Sequence, residues 1–152
     1  MKILNIFILG VLFFAFTISI SATNVNGRFV VMSTDSSKLK VLLQINTNTG
    51  SDDMGGATIV IGFNPYSLNF NSNPQVNTDY VFHNFSSGNY STADITRPAI
   101  DKLWLNIDLP FNNSNNGTVV SGSNGWTDVA TLFFDIINPS DTLKLNWFIT
   151  SP

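Results

Sequence analysis

Apolar residues along most of the chain recur at every second position, the period of a half-buried β-strand, and not at every third or fourth as a helix requires. Residues 38–46 place Leu39, Val41, Leu43 and Ile45 on one face, with Lys38, Lys40, Gln44 and Asn46 opposite. Residues 57–63 repeat the scheme with Ala57, Ile59, Ile61 and Phe63 inward, and residues 102–109 do so with Leu103, Leu105, Ile107 and Leu109. Further runs at 28–32, 80–85, 129–137 and 143–149 complete the predicted strands. The breaks between runs are turn formers: Thr49-Gly50-Ser51-Asp52, Asn73-Pro74, Ser86-Ser87-Gly88-Asn89, the Asn-rich stretch 112–117, residues 121–125 and Asn138-Pro139-Ser140-Asp141. Seven or eight half-buried strands at this spacing need a second layer to cover their apolar faces. The expected fold is therefore all-β, an antiparallel β-sandwich with about eight strands.

The first 22 residues break the pattern. Lys2, an apolar run over 3–20 and the small polar stretch Ser19-Ile20-Ser21-Ala22 follow the order of a secretory signal. Cleavage after Ser21 or Ala22 would leave a single domain at 23–152, secreted or held at the cell surface. The alternative is an uncleaved anchor, because about 18 apolar residues approach the lower limit for spanning a bilayer. A mature chain of roughly 130 residues buries enough surface to fold without metal or disulfide staples, so the absence of Cys needs no replacement.

Composition then narrows the chemistry. Charged residues make up only 11% of the chain, every acidic residue is Asp, and the formal net charge is -3. A mildly acidic surface does not gather polyanions, so nucleic acid and anionic lipid are poor partners, and no membrane contact is expected beyond the signal segment. With one His, no Cys and no Glu, most catalytic and transition-metal chemistry lacks its parts. No cofactor, no metal and no enzymatic activity is expected. Asn84, Asn89, Asn112 and Asn116 begin Asn-x-Ser/Thr triplets, which chance produces in a chain this rich in Asn and Ser.

Individual residues carry competing readings. Trp104 falls on the outward register of its strand, between Lys102, Asn106 and Asp108; it is either part of a binding face or covered by a loop drawn from residues 112–124. Trp126 and Trp147 are expected in the core. Asp52 and Asp53 could donate oxygens to Ca²⁺, but two adjacent Asp without an alternating acidic loop read better as a solvated turn. Asp94, Asp101 and Asp108 could supply a carboxylate pair for glycoside hydrolysis, though nothing fixes their separation, and surface charges are the expected reading. His83 is the one imidazole a Ser-His-Asp set could use, and no nucleophile elbow accompanies it.

The stretch Gly56-Ala57-Thr58-Ile59-Val60-Ile61-Gly62-Phe63-Asn64-Pro65-Tyr66-Ser67-Leu68-Asn69-Phe70 resembles the third and fourth strands of cohesin modules, with their Gly-Ala opening, alternating apolar residues, aromatic-Asp/Asn-Pro corner and Leu-x-Phe. Val129-Ala130-Thr131-Leu132-Phe133-Phe134 is similar to that family's late small-Thr-Leu-x-Phe strand. The resemblance covers residues 28–150 and implies a flattened jelly roll that binds dockerin modules, often in polysaccharide-degrading assemblies at a cell surface. It also implies that strands eight, three, six and five lie side by side. Phe148, Val60, Trp104 and the Tyr80 or Phe82 end of strand five would then share one exposed stripe with Asn106 and Asp108. Only the family's first eight strands can be counted, so either the sequence is a fragment or strand one, at 28–32, presents an open edge. Three readings follow: a protein-docking module, a carbohydrate-binding module stacking polysaccharide on outward aromatics, and a structural module of a larger surface protein.

Overall fold

The computed structural model of the chain describes residues 25–48, 50–85, 90–109, 117–122 and 125–149. The signal expected at 1–22 lies outside them. The described residues are all-β, and among them no helix is long and apolar enough to cross a membrane. Their strands are β1 (Val25–Thr34), β2 (Lys38–Thr47), β3 (Ser51–Met54), β4 (Ala57–Phe63), β5 (Leu68–Asn69), β6 (Tyr80–Phe82), β7 (Thr92–Ala99), β8 (Lys102–Asp108), β9 (Thr118–Ser121), β10 (Thr127–Ile136) and β11 (Leu145–Ile149).

Antiparallel pairing joins these strands into three sheets. The first runs β1-β2-β10-β5, with β6 also on β10; the second runs β11-β4-β8-β7; β3 and β9 form a two-stranded ribbon. Alternation in the sequence becomes alternation in burial: Leu39, Val41, Leu43 and Ile45 of β2, Ile59, Ile61 and Phe63 of β4, and Leu103, Leu105 and Ile107 of β8 are all buried. The two larger sheets feed one apolar cluster. Phe134 of β10 links them, with its ring centroid 5.4 Å from Phe63 of β4 and 5.1 Å from Phe70 just past β5. Aromatic pairs at this spacing add to what burial alone contributes.

The Asn-Pro corner between β4 and β5 is held by its own side chain. Asn64 Oδ1 accepts from the Tyr66 N–H at 3.1 Å, while Asn64 Nδ2 donates to Asp141 Oδ2 and to the Thr142 carbonyl, each at 3.1 Å. Leu68 and Phe70 then turn back into the core and are buried.

Several strand assignments differ from the sequence pattern. Residues 80–85 were expected to supply the strand beside β8, but β6 pairs with β10, through Tyr80↔Leu132, Val81↔Thr131 and Phe82↔Ala130. The neighbour of β8 is β7, whose Thr92-Ala93-Asp94-Ile95-Thr96-Arg97-Pro98-Ala99 holds too few large apolar residues to announce itself. Pro98 fits an edge position, where no ladder hydrogen bond is lost, and the register shifts there between Thr96 and Ala99. Arg97 uses this bulge to lie over the Phe63 ring at 5.6 Å and to donate to Asn69 Oδ1 at 3.2 Å, to the Ile100 carbonyl at 2.8 Å and to the Phe70 carbonyl. Residues 51–52, expected as turn, begin β3. Trp126, expected in the core, is half-buried with the Arg28 guanidinium 4.2 Å above its ring.

The turn from β1 to β2 has a titratable clasp. Asp35 Oδ1 accepts from the Ser37 N–H at 2.7 Å, the Lys38 N–H at 2.6 Å and the Ser37 hydroxyl at 3.0 Å. The two backbone donors, with the hydroxyl behind them, hold the Asp35 carboxyl below its ordinary 3.8. Because the folded value is the lower one, this clasp contributes fully above the unfolded carboxylate range, about 3.9, and is lost as pH falls through the folded value. Acidification should therefore move the Ser37 and Lys38 amide protons upfield together, in a step below about pH 4. Asp35→Ala should abolish that step; its persistence in the variant would assign it to another carboxylate.

Candidate functional site

In the second sheet every second residue faces away from the core, and register fixes which of them meet. Val60 of β4 pairs with Trp104 of β8, which pairs with Thr96 of β7; Phe148 of β11 pairs with Val60 on the other side. The backbone thus sets Phe148, Val60, Trp104 and Thr96 in one row across four strands. The side chain of Phe148 lies outside the described residues. One step along, Thr58, Asn106 and Asp94 form a second, polar row. Asn106 is its hub: it accepts from the Thr58 hydroxyl at 3.3 Å through Oδ1 and donates to Asp94 Oδ1 at 2.9 Å through Nδ2. Beyond it, Asp108 pairs with Thr92 and takes a 2.8 Å hydrogen bond from the Ser91 hydroxyl.

Trp104 keeps 43% of its surface exposed, so its indole is available on this face. Much of the loop that could have covered it, residues 110–116 and 123–124, lies outside the described residues. Val60 and Asn106 are half-buried beside it and Asp108 is exposed. Phe82 does not join them. It is only 6% exposed and sits in the first sheet, with Tyr80 beside it at 5.5 Å, because the strand that carries both pairs with β10. Thr58, Asp94 and Thr96 were missed as face residues. The alternation Thr92, Asp94, Thr96 against Ala93 and Ile95 was the available signal.

No family model, curated protein or solved structure matches the chain. The reading of the face thus rests on its own geometry: an apolar row and a hydrogen-bonded polar row, side by side on four strands.

Two of the three carboxylates considered for hydrolysis, those of Asp94 and Asp108, are engaged separately. Asp94 is held by Asn106, Asp108 by Ser91, and Asp101 sits in the turn from β7 to β8, where its carbonyl accepts from the Phe63 N–H at 3.0 Å. Asp53 is exposed on β3, and the Asp52 side chain lies outside the described residues. Among the described residues no three His, Cys, Asp or Glu side chains gather as a metal site would require. His83 is on the first sheet, with Nε2 2.8 Å from the Thr131 hydroxyl. Trp147, on the inward register of β11, packs against the core.

Next to the candidate face is a groove of about 430 Å³, between the exposed edge of β7 and the loop ahead of β6. Trp104, Thr96 and Asp94 form one wall; Ser72, Asn73 and Pro74 form the other.

Proposed function

We propose that the chain is a secreted, non-catalytic binding module of the cohesin kind, a jelly-roll-type β-sandwich that docks a dockerin-type protein partner in a cell-surface or polysaccharide-degrading assembly. The observation that carries this reading is the order β11-β4-β8, the adjacency that the cohesin resemblance implies for strands eight, three and six; beyond β8 the place expected for strand five, at 80–85, is taken by β7. The apolar cluster shared by the two larger sheets, with Phe63 against Phe134, is in keeping with a sandwich. The outward face of that sheet supports docking because it joins an exposed aromatic to an organised polar rim. A partner helix laid along the Val60–Trp104–Thr96 row would bury the indole as an anchor, and the Thr58–Asn106–Asp94 row would meet its polar flank.

Titration calorimetry against a panel of dockerin modules tests the reading. At least one should bind, and soluble glycans should not compete. Trp104→Ala should cost about 2 kcal/mol, a roughly 30-fold weaker Kd, as for a truncated aromatic hot spot. Val60→Asp should weaken binding as strongly, because a carboxylate would be desolvated at the centre of the face. The reading fails if no dockerin in the panel binds, or if both variants bind as the parent does.

A further inference from the structure

We propose that the groove between β7 and the 72–74 loop is a binding site for a neutral pyranose oligosaccharide, with Trp104 as the stacking platform. This goes beyond protein docking and does not rest on it: the groove shares Trp104, Thr96 and Asp94 with the docking face, but its other wall, Ser72, Asn73 and Pro74, lies outside the sheet.

Size and lining both point to a sugar. A volume of about 430 Å³ lies within the ~300–1,000 Å³ of small-molecule sites. A pyranose offers an apolar C–H face, which suits an indole, and a rim of hydroxyls, each both donor and acceptor. The groove answers each need. Trp104, 43% exposed, lines the groove, and Pro74 adds an apolar wall opposite. The Ser72 and Thr96 hydroxyls and the Asn73 side-chain amide line it without a hydrogen-bond partner among the described residues. Asp94 presents a carboxylate oriented by Asn106: Oδ1 takes the 2.9 Å hydrogen bond, and Oδ2 has no partner among the described residues. A carboxylate fixed by one oxygen is an acceptor ready for a sugar hydroxyl, and charge-assisted bonds of this kind are the strong ones.

Charge selects the class of glycan. Asp94 opposes an anionic uronate or sialic acid. Arg97, the cation lining the groove, already directs its guanidinium N–H groups to Asn69, Phe70 and Ile100 and holds β7 to the core with them. A neutral hexose or pentose polymer fits; an acidic one does not.

The test uses the chain with cellohexaose, xylohexaose, mannohexaose and chitohexaose as probes, and oligogalacturonate as the acidic control. Binding is followed by NMR at the Trp104 indole Nε1–H, which is assigned from its absence in Trp104→Phe. At least one neutral hexasaccharide should shift that resonance saturably at millimolar concentration, and oligogalacturonate should not. Asp94→Ala and Trp104→Ala should each weaken binding roughly 10-fold or more, the loss expected for a hydrogen bond to a charged group or a stacked ring. Asn73→Ala, on a loop outside the sheet, should weaken it without altering the melting temperature. The proposal is overturned if no neutral probe shifts the indole up to about 10 mM, if oligogalacturonate binds best, or if Asp94→Ala and Asn73→Ala both bind as the parent does. A chain that binds a dockerin but no glycan removes only the groove. One that binds a neutral hexasaccharide and no dockerin removes only the docking reading.

Discussion

Phe134→Ala is expected to destabilise the chain by about 3–5 kcal/mol, the range for deleting a buried aromatic ring. Phe134 has no exposed surface, and its ring meets Phe63 from one sheet and Phe70 from beyond the other. Truncation would therefore remove two aromatic contacts and leave a void that Leu39, its Cα partner on β2, cannot fill from a regular strand. Domains of this size carry about 5–15 kcal/mol in total, so the variant should unfold at a much lower urea concentration with an unchanged slope. Phe133→Ala is the internal control. That ring faces the other way, half-buried beneath Lys40 at 5.7 Å, and its loss should cost no more than about 1 kcal/mol. Equal effects at the two positions would mean that the core is not centred where the ring contacts put it.

The same contrast explains how much could be read from the chain in advance. Strands with one wet and one dry face spell out their register, so β2, β4 and β8 were legible to within a residue or two, and with them the outward placement of Trp104 and the inward placement of Leu103 and Leu105. Strands at an edge do not. β7 is only partly buried, carries Pro98 and alternates small polar with small apolar residues, so its pairing with β8 follows from tertiary context. That one misplacement moved Phe82 onto the candidate face and left Asp94 and Thr96 off it. Tyr80-Val81-Phe82 had the right alternation for either sheet, and pattern alone cannot choose between two layers that want the same residues. Trp126 was misread for another reason: an indole beside an arginine is satisfied at the surface by the cation over its ring, at 4.2 Å. The groove was invisible because Ser72, Asn73 and Pro74 are ordinary turn residues until β7 is known to run beside them.

Gly27→Val should cost about 3 kcal/mol, although position 27 is only half-buried on an edge strand. Gly27 pairs with Ile45 on the inward register of β1, and the indole of Trp147, from β11 in the other sheet, occupies the place a side chain at 27 would take. Trp147 also meets Phe29 edge-on at 6.5 Å. One indole thus bridges β1 and β11, the edge strands of the two larger sheets. Overpacking a filled site costs about 1–3 kcal/mol, and here the displaced group is a Trp, whose own burial would be lost as well. The damage should propagate. Among the described residues β11 pairs only with β4, so an expelled Trp147 would loosen the strand that carries Phe148 into the candidate row. Hydrogen exchange should accordingly rise in Leu145–Ile149 before it rises in β8. The decisive comparison is a double-mutant cycle with Trp147→Leu, which opens room at 27 at the cost of indole burial. If the indole occupies the Gly27 site, Gly27→Val should be far less harmful in the Trp147→Leu background, with a coupling of about 1–3 kcal/mol. Additive losses would mean instead that Gly27 is required for its backbone and that the two sheets are closed on that side by something other than Trp147.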